Sequence, residues 1–340
     1  MQILNDQILA NYTTIQIGGC VQYMFLPTTE VEIMEAVVWC QSKSLPFMFL
    51  AGGSNTVFPD QNLVYSQVII NLTKFNEIVV GYNLDNLENN LTTSFKITAK
   101  AGASLQDIVD LSLQNYSNPI SEYFSGSMVG LNRVPGTIGG ATVGNAGAYG
   151  TEIKDIVESV KCIDFSNPSD ILIFSNADCQ FGYRDSIFKQ NKNLVVLEIT
   201  LNLPISQNKN DDKLRYQEIA TKRDAIYPIG FASPGSLFKN ILFDSLPLAV
   251  QSKIPNDWVV YGNKLPVGKL LESLDCKGFS VGGIQMRLSH SNIMVNFNTG
   301  SYQDACSVVA QLQSKIYSEY QIKLEPEVRF IPNNFNNFYK

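Results

Sequence analysis

The apolar positions along the chain change period several times, and each change marks an element. Over residues 28–45, Ile33, Val37 and Cys40 recur on one helical stripe, and Thr29-Glu30-Val31-Glu32 is a capping-box pattern. The helix must end before Pro46, because the residue preceding a proline is pushed out of the α region. Phe47-Met48-Phe49-Leu50 then reads as a short buried strand, stopped by Gly52-Gly53. This is a β-α-β start with a glycine turn at a strand end, a common place for a ligand. Val68–Leu72 and Phe95–Ala99 read as strands, with an Asn- and Leu-rich loop or hairpin over 81–94. Ser104-Leu105-Gln106-Asp107 opens a second helix carrying Leu105, Ile108 and Val109, and residues 117–150 read as glycine-rich and mostly irregular.

Val157–Phe165, Asp170–Ser175 and Leu194–Leu203 read as strands. Gln207-Asn208-Lys209-Asn210-Asp211-Asp212 is polar, charged and directly after a strand, which reads as a linker. A helix follows and ends near Tyr227-Pro228; Val267–Leu274 is a short amphipathic helix. Gly282–Arg287 and Ile293–Asn296 are strand-like. Ser301 caps a long helix with Ala305, Val308, Leu312 and Ile316 on one apolar face. Lys323–Ile331 closes the chain as an alternating strand with Glu325, Glu327 and Arg329.

At 340 residues the chain has room for two or three domains of roughly 150 residues. With 45% hydrophobic and 16% charged residues it is globular and can bury a sizeable core. The net charge of -6 argues against a nucleic-acid platform, which would carry a basic face. No apolar run approaches the ~18 residues of a membrane helix. The start, Met1-Gln2-Ile3-Leu4-Asn5-Asp6-Gln7, lacks the basic and apolar regions of a signal peptide, so no membrane is expected. The six cysteines are scattered without a CxxC pair and read as buried thiols of a reducing cytoplasm. With that spacing and one histidine, no metal site is expected.

Two segments carry the candidate chemistry. The first is Ala51-Gly52-Gly53-Ser54-Asn55-Thr56; the second runs from Pro135-Gly136-Thr137-Ile138-Gly139-Gly140 to Asn145-Ala146-Gly147-Ala148-Tyr149-Gly150. Six of the sixteen residues from Pro135 to Gly150 are glycine, a density that a simple turn does not need. Glycine lets backbone N–H groups approach an anion, and Ser, Thr and Asn add short polar donors. Such loops suit a pyrophosphate met by neutral groups, which fits an acidic protein. Neither is GxGxxG, and no Gly-Lys-Ser/Thr occurs, so the ordinary Rossmann and Walker sites are not supported. The plainer reading of either segment is a pair of tight turns.

At these loops the chain resembles the MurB family, the UDP-N-acetylenolpyruvoylglucosamine reductases. Asn11-Tyr12-Thr13-Thr14 is similar to the family's entry segment, and the two glycine segments to its FAD loops. Tyr183-Arg184-Asp185-Ser186-Ile187-Phe188, Gly235-Ser236-Leu237-Phe238-Lys239-Asn240 and Glu325-Pro326-Glu327-Val328-Arg329 follow in the family's order. The resemblance implies an α+β chain with the FAD-binding fold of the vanillyl-alcohol oxidase type, in two α+β lobes, and a third, substrate-binding domain. The expected boundaries are 1–75, completed by 323–340, then 76–212, then 213–322. It also implies non-covalent FAD, NADPH as reductant, a UDP-sugar substrate, a cytoplasmic location and a role in peptidoglycan precursor synthesis. No obligate protein partner is evident.

The implied FAD-binding residues are Gly52, Gly53, Ser54, Asn55, Thr56, Pro135, Gly136, Thr137, Gly139, Gly140, Asn145, Gly147 and Ala148. The implied reaction adds a hydride to an enol carbon, so negative charge grows on the neighbouring carbon and its carboxylate. That charge needs stabilisation, and the carbon needs a proton. By matching position, Arg184 and Glu327 stabilise the charge and Ser236 is the proton donor. Glu327 helps only if protonated or donating through an ordered partner, so a raised pKa is expected. A serine is a poor acid and needs a relay or a cation, for which Lys239 is a candidate. Tyr149, Asn240, Arg223, Lys239 and His290 match places that meet the sugar nucleotide. Taken alone, Ser236 is a turn residue, Arg184 a surface strand arginine, and His290 a structural histidine. Glu325 and Glu327 share one strand face by period-two counting, so that pattern does not separate them.

Two departures stand out. Ile226 occupies a position where the family usually has lysine, which removes one expected phosphate contact. The stretch between Arg184 and the 207–212 segment is short, which resembles members lacking an inserted lid tyrosine. Two rivals stand beside the reductase: another flavoenzyme of the same fold, and a flavin-binding paralogue with impaired catalysis.

Overall fold

The structure is a computed structural model of the chain, and it describes residues 1–60, 65–82, 94–113, 125–166, 171–226, 231–260, 262–297 and 299–331. These residues form two compact units. The first comprises Met1–Asp6, Gln22–Gly52 and Ser66–Ala225; the second comprises Gln7–Val21, Gly53–Tyr65 and Ile226–Lys340.

The first unit opens on the expected β-α-β start. Helix Glu30–Ser42 is capped by Thr29, whose hydroxyl accepts from Glu32 N at 3.2 Å. It buries Ile33, Ala36, Val37 and Cys40 and ends before Pro46. Strand Phe47–Leu50 then pairs in parallel with Val68–Asn71. These strands belong to a four-stranded sheet ordered Gln2–Ile8, Cys20–Leu26, Tyr65–Asn71, Phe47–Leu50. A second, five-stranded antiparallel sheet runs Ile171–Ser175, Val157–Asp164, Leu194–Pro204, Ser94–Lys100, Ile78–Tyr82. Leu194–Pro204 sits at its centre, and the chain reaches it directly from the short helix Ile187–Gln190. One apolar core joins the helix to both sheets. Across it, Glu30 takes ion pairs from Lys100 at 3.0 Å and Lys161 at 2.8 Å.

In the second unit, Ser301 and Asp304 make a full capping box at the start of helix Tyr302–Tyr320. The helix buries Ala305, Val308, Leu312 and Ile316, the face read from the sequence. A three-stranded sheet of Ser280–Val281, Ile284–Met286 and Met294–Asn296 lies in the same core, with helix Val267–Ser273. The closing segment makes only a short strand, Arg329–Phe330, parallel to Thr56–Val57.

Two local expectations are corrected. Helix Lys209–Ile226 begins inside the stretch read as a linker. Asn208 accepts from Asp211 N at 3.3 Å, and Asp211 and Asp212 lie in the first turn, so the polar run starts a helix instead of forming an irregular linker. Within the glycine-rich stretch, Ile138–Val143 is helical, capped by Thr137, whose hydroxyl accepts from Gly140 N at 3.2 Å. The loop or hairpin expected over 81–94 lies outside the described residues from 83 to 93, as do 117–124 and the end of the helix at Tyr227-Pro228. Among the described residues no helix is long and apolar enough to cross a membrane, and no cluster of side chains could hold a metal. All six cysteines are free thiols.

Candidate functional site

In the first unit the two glycine segments meet. A Cβ on Gly52 would lie 3.1 Å from Gly136 Cα and 3.9 Å from Thr137 Cγ2. Gly136 has φ +109, a conformation open to glycine. The glycines beyond it serve different ends. Gly139 packs so closely on Ala101 that a Cβ would lie 2.7 Å from its side chain, and its N–H is bound to Ala101 O. Gly140 is exposed, and a Cβ there would meet nothing nearer than Thr137 Oγ1 at 3.6 Å. Packing therefore explains Gly139 and leaves Gly140 facing open space.

Arg184 is built onto the far end of the second segment. Its Nη2 donates to Gly147 O at 2.6 Å and its Nη1 to Asn145 O at 3.4 Å. It sits at φ +55 in the tight Gly182–Asp185 turn, and Lys189 Nζ donates to its carbonyl at 2.6 Å. Tyr149, at φ +48 and 39% exposed, has its carbonyl held by Arg215 Nη2 at 2.8 Å. Arg215 and Arg223 both lie on helix Lys209–Ile226. That helix is seated by a polar network absent from the sequence reading. Tyr216 Oη donates to Asp110 at 2.7 Å, and the buried Asn132 donates to Tyr216 O at 2.9 Å. Burial and the bond to Asp110 push the Tyr216 phenol up to about 12, so it stays a donor.

In the second unit, the remainder of the first glycine segment is stitched to the C-terminal acidic motif. Gly53, at φ +59, lies against Tyr12, where a Cβ would come 1.9 Å from the carbonyl oxygen. Thr14 N donates to Gly53 O at 3.2 Å, which gives the Asn11–Thr14 motif a structural task. Asn55 Nδ2 donates to Glu327 O at 3.0 Å, and Arg329 N donates to Asn55 O at 2.9 Å. Thr56 pairs with Arg329 in the short parallel ladder.

The Ser236 segment lies between two others. Ser236 bridges Ile293 on one side; on the other, Glu327 N donates to Leu237 O at 2.8 Å and Phe238 bridges Pro326. Ser236 and Glu327 thus belong to neighbouring backbones of one unit, whereas Arg184 belongs to the other unit. The two acids that strand counting left together are separated by environment. Glu325 is 69% exposed and ion-paired with Lys239, while Glu327 is half-buried. Asn240 Oδ1 accepts from Val267 N at 3.2 Å at the start of helix Val267–Ser273.

His290 accepts from Asn292 N at 3.3 Å through Nδ1, which leaves its proton on Nε2. Burial holds its pKa below the ordinary value, against the opposing pull of Glu272. Asn292 itself was missed by sequence reasoning. Its buried amide accepts from Phe238 N at 3.0 Å and donates to Phe238 O at 2.8 Å, gripping the residue two places beyond Ser236. An Asn between Ser291 and Ile293 carries no sequence signal of this role, because its partner is 54 positions away.

The FAD binding domain family model matches residues 21–167. The model for the C-terminal domain of UDP-N-acetylenolpyruvoylglucosamine reductase matches residues 227–331. The chain is 29% identical over 323 residues to UDP-N-acetylenolpyruvoylglucosamine reductase of Solibacter usitatus, covering 95% of each chain. It is also 29% identical over 326 residues to the enzyme of that name from Caldanaerobacter subterraneus subsp. tengcongensis, covering 96% of this chain and 92% of the relative. Among solved structures, UDP-N-acetylenolpyruvylglucosamine reductase (MurB) from Thermus caldophilus superposes with a TM-score of 0.67 at 23% identity, over 97% of this chain and 99% of that one.

Proposed function

From its similarity to the UDP-N-acetylenolpyruvoylglucosamine reductases over nearly its whole length, we propose that this chain belongs to their family and reduces the enolpyruvyl ether of UDP-N-acetylenolpyruvoylglucosamine to the lactyl ether of UDP-N-acetylmuramate. The reaction belongs to peptidoglycan precursor synthesis and uses FAD and NADPH. One observation carries the reading: an FAD-binding domain over 21–167 is followed in the same chain by the reductase's own C-terminal domain over 227–331. A flavin oxidase of related fold would account for the first match and not the second.

The residues present fit FAD. Gly52 and Gly136 approach so closely that a Cβ on Gly52 would lie 3.1 Å from Gly136 Cα, and the exposed Gly140 leaves room where a side chain would stand. The resemblance assigns to FAD Gly52, Gly53, Ser54, Asn55, Thr56, Pro135, Gly136, Thr137, Gly139, Gly140, Asn145, Gly147 and Ala148. A non-covalent link accords with the lone histidine, whose Nδ1 is engaged within the second unit. Bound there and reduced by NADPH, the flavin would supply hydride chemistry for the terminal enol carbon.

The protein must then meet the charge that develops on the adjacent carbon and its carboxylate. Arg184 serves as a fixed cation, since its guanidinium is permanently charged and already oriented by two carbonyls. Ser236 delivers the proton to that carbon, and the half-buried Glu327 is the acid beside it on the neighbouring backbone. Lys239, ion-paired with Glu325, is the candidate cation for Ser236. Tyr149, Arg223, Asn240 and His290 are assigned to the sugar nucleotide. The three-lobe division, at 1–75 with 323–340, 76–212 and 213–322, belongs to the same reading, and a set of six free thiols accords with a cytoplasmic enzyme.

The test is anaerobic and separates two half-reactions. Purified protein should be yellow, should be bleached by NADPH, and should recover its colour only with the enolpyruvyl sugar nucleotide. Ser236→Ala should spare the bleaching and block the recovery; equal loss in both halves would remove Ser236 from the role of proton donor. A second reading, a flavoprotein with impaired catalysis, is favoured by Ile226 at the usual lysine position. Yellow protein that NADPH bleaches but the sugar nucleotide never re-oxidises would establish it.

A further inference from the structure

We propose that Asn145 is a positioning residue for Arg184 and not a ligand of the flavin, an inference that rests on the assignment of Arg184 to the reduction step. Asn145 has 0% exposure. Its Nδ2 donates to Gly182 O at 2.8 Å and to Glu152 Oε2 at 3.3 Å, and its Oδ1 accepts from Lys154 N at 3.0 Å. Both amide protons are thus committed inside the protein and the carbonyl already accepts from Lys154 N, so the buried side chain has no donor left to offer a cofactor.

What the amide holds is the turn that carries the arginine. Gly182 and Asp185 exchange backbone bonds of 3.0 and 3.3 Å around Tyr183 and Arg184. Arg184 sits there at φ +55, a left-handed conformation that a non-glycine residue keeps only when its surroundings impose it. Asn145 supplies part of that imposition through Gly182 O. Its own backbone, at φ +40, turns carbonyl 145 toward the guanidinium, which it meets at 3.4 Å beside the 2.6 Å bond to Gly147 O. One residue therefore fixes both ends of Arg184: the backbone from which the side chain departs and one carbonyl on which the guanidinium rests. A second prop, independent of Asn145, is the bond from Lys189 Nζ to Arg184 O.

The experiment is a double-mutant cycle on the oxidative half-reaction, re-oxidation by the enolpyruvyl sugar nucleotide. Asn145→Gly removes the amide and tolerates positive φ. Arg184→Ala removes the guanidinium. If Asn145 acts through Arg184, Asn145→Gly slows re-oxidation at least about tenfold more than it slows bleaching by NADPH, and the double variant is no slower than Arg184→Ala alone. In the same variant, amide exchange at Gly182 and Asp185 accelerates by about tenfold or more, a readout independent of turnover. Fully additive losses, or equal losses in both half-reactions, overturn the proposal while leaving Arg184 in its role. If Arg184→Ala itself leaves re-oxidation unchanged, the reading beneath the proposal fails instead. Should Asn145→Gly fail to fold, Lys189→Met carries the same cycle through the second prop. Additivity there would overturn the claim that the turn is what positions the arginine.

Discussion

Replacing Asn292 by alanine tests how the Ser236 segment is held. The amide makes two bonds to one residue, 3.0 Å from Phe238 N and 2.8 Å to Phe238 O, in a setting where Asn292 is 3% and Phe238 1% exposed. Alanine would leave a buried N–H and a buried C=O unpaired, each worth about 1–3 kcal/mol. We expect a loss of about 3 kcal/mol, a large share of the ~5–15 kcal/mol that a folded protein commands. Ser291→Ala is the internal standard, because it removes a single bond, 2.8 Å to Gly268 O, and should lose about 1 kcal/mol. Asn292→Asp keeps the acceptor for Phe238 N but turns a carboxylate on Phe238 O, so it should recover less than half of the loss. The assay is urea unfolding followed by tryptophan fluorescence. The chain has two tryptophans, so a Trp39→Phe background leaves Trp258, packed on the second unit's core, as the reporter. A loss below about 1 kcal/mol for Asn292→Ala, with an unchanged urea slope, would refute the reasoning.

Other expectations follow from the same geometry. Gly140→Ala should leave stability unchanged or raise it by up to about 1 kcal/mol, since it sits in a helix with open space, yet lower the flavin retained on purification; full retention would show that the flavin does not lie against that Cα. His290 has a pKa held below 6.5 by burial, so the unfolded chain takes up a proton first. Its contribution is present above that value and is lost as pH falls through it, and protonation also removes the acceptor used by Asn292 N. His290→Gln should flatten this acid limb of the unfolding midpoint, and an identical pH profile would count against it. Glu325→Gln should change stability by less than about 0.5 kcal/mol and leave turnover intact, because the carboxylate is 69% exposed; a tenfold fall in turnover would show that its pairing with Lys239 matters to the chemistry.

Much of the framework was legible because it is written in local chemistry. Thr29, Ser104 and Ser301 announce helix starts through short polar side chains that reach a backbone N–H about one turn on, and Pro46 forbids the first helix to continue. The periodicity of Ala305, Val308, Leu312 and Ile316 is the buried face of one helix. Local chemistry also misled. Asn208, Asp211 and Asp212 look like a linker because the residues that start a helix are those that populate loops. Thr137 starts a helix among glycines because Ala101 and Ala103 carbonyls, distant in sequence, accept the N–H groups of Gly139 and Ile138.

The sequence by itself determined which residues are candidates for the chemistry, since glycine segments, an arginine, a serine and two acids stand in one order along the chain. Tertiary structure alone decided what those residues are attached to. It paired Glu325 with Lys239 and half-buried Glu327, it set Gly52 against Gly136, and it gave Asn145 and Asn292 their tasks. The physical reason is that a buried amide earns its place through backbone groups far off in the chain. Asn145 reaches 37 positions to Gly182 and Asn292 reaches 54 to Phe238, separations at which no local pattern records the bond.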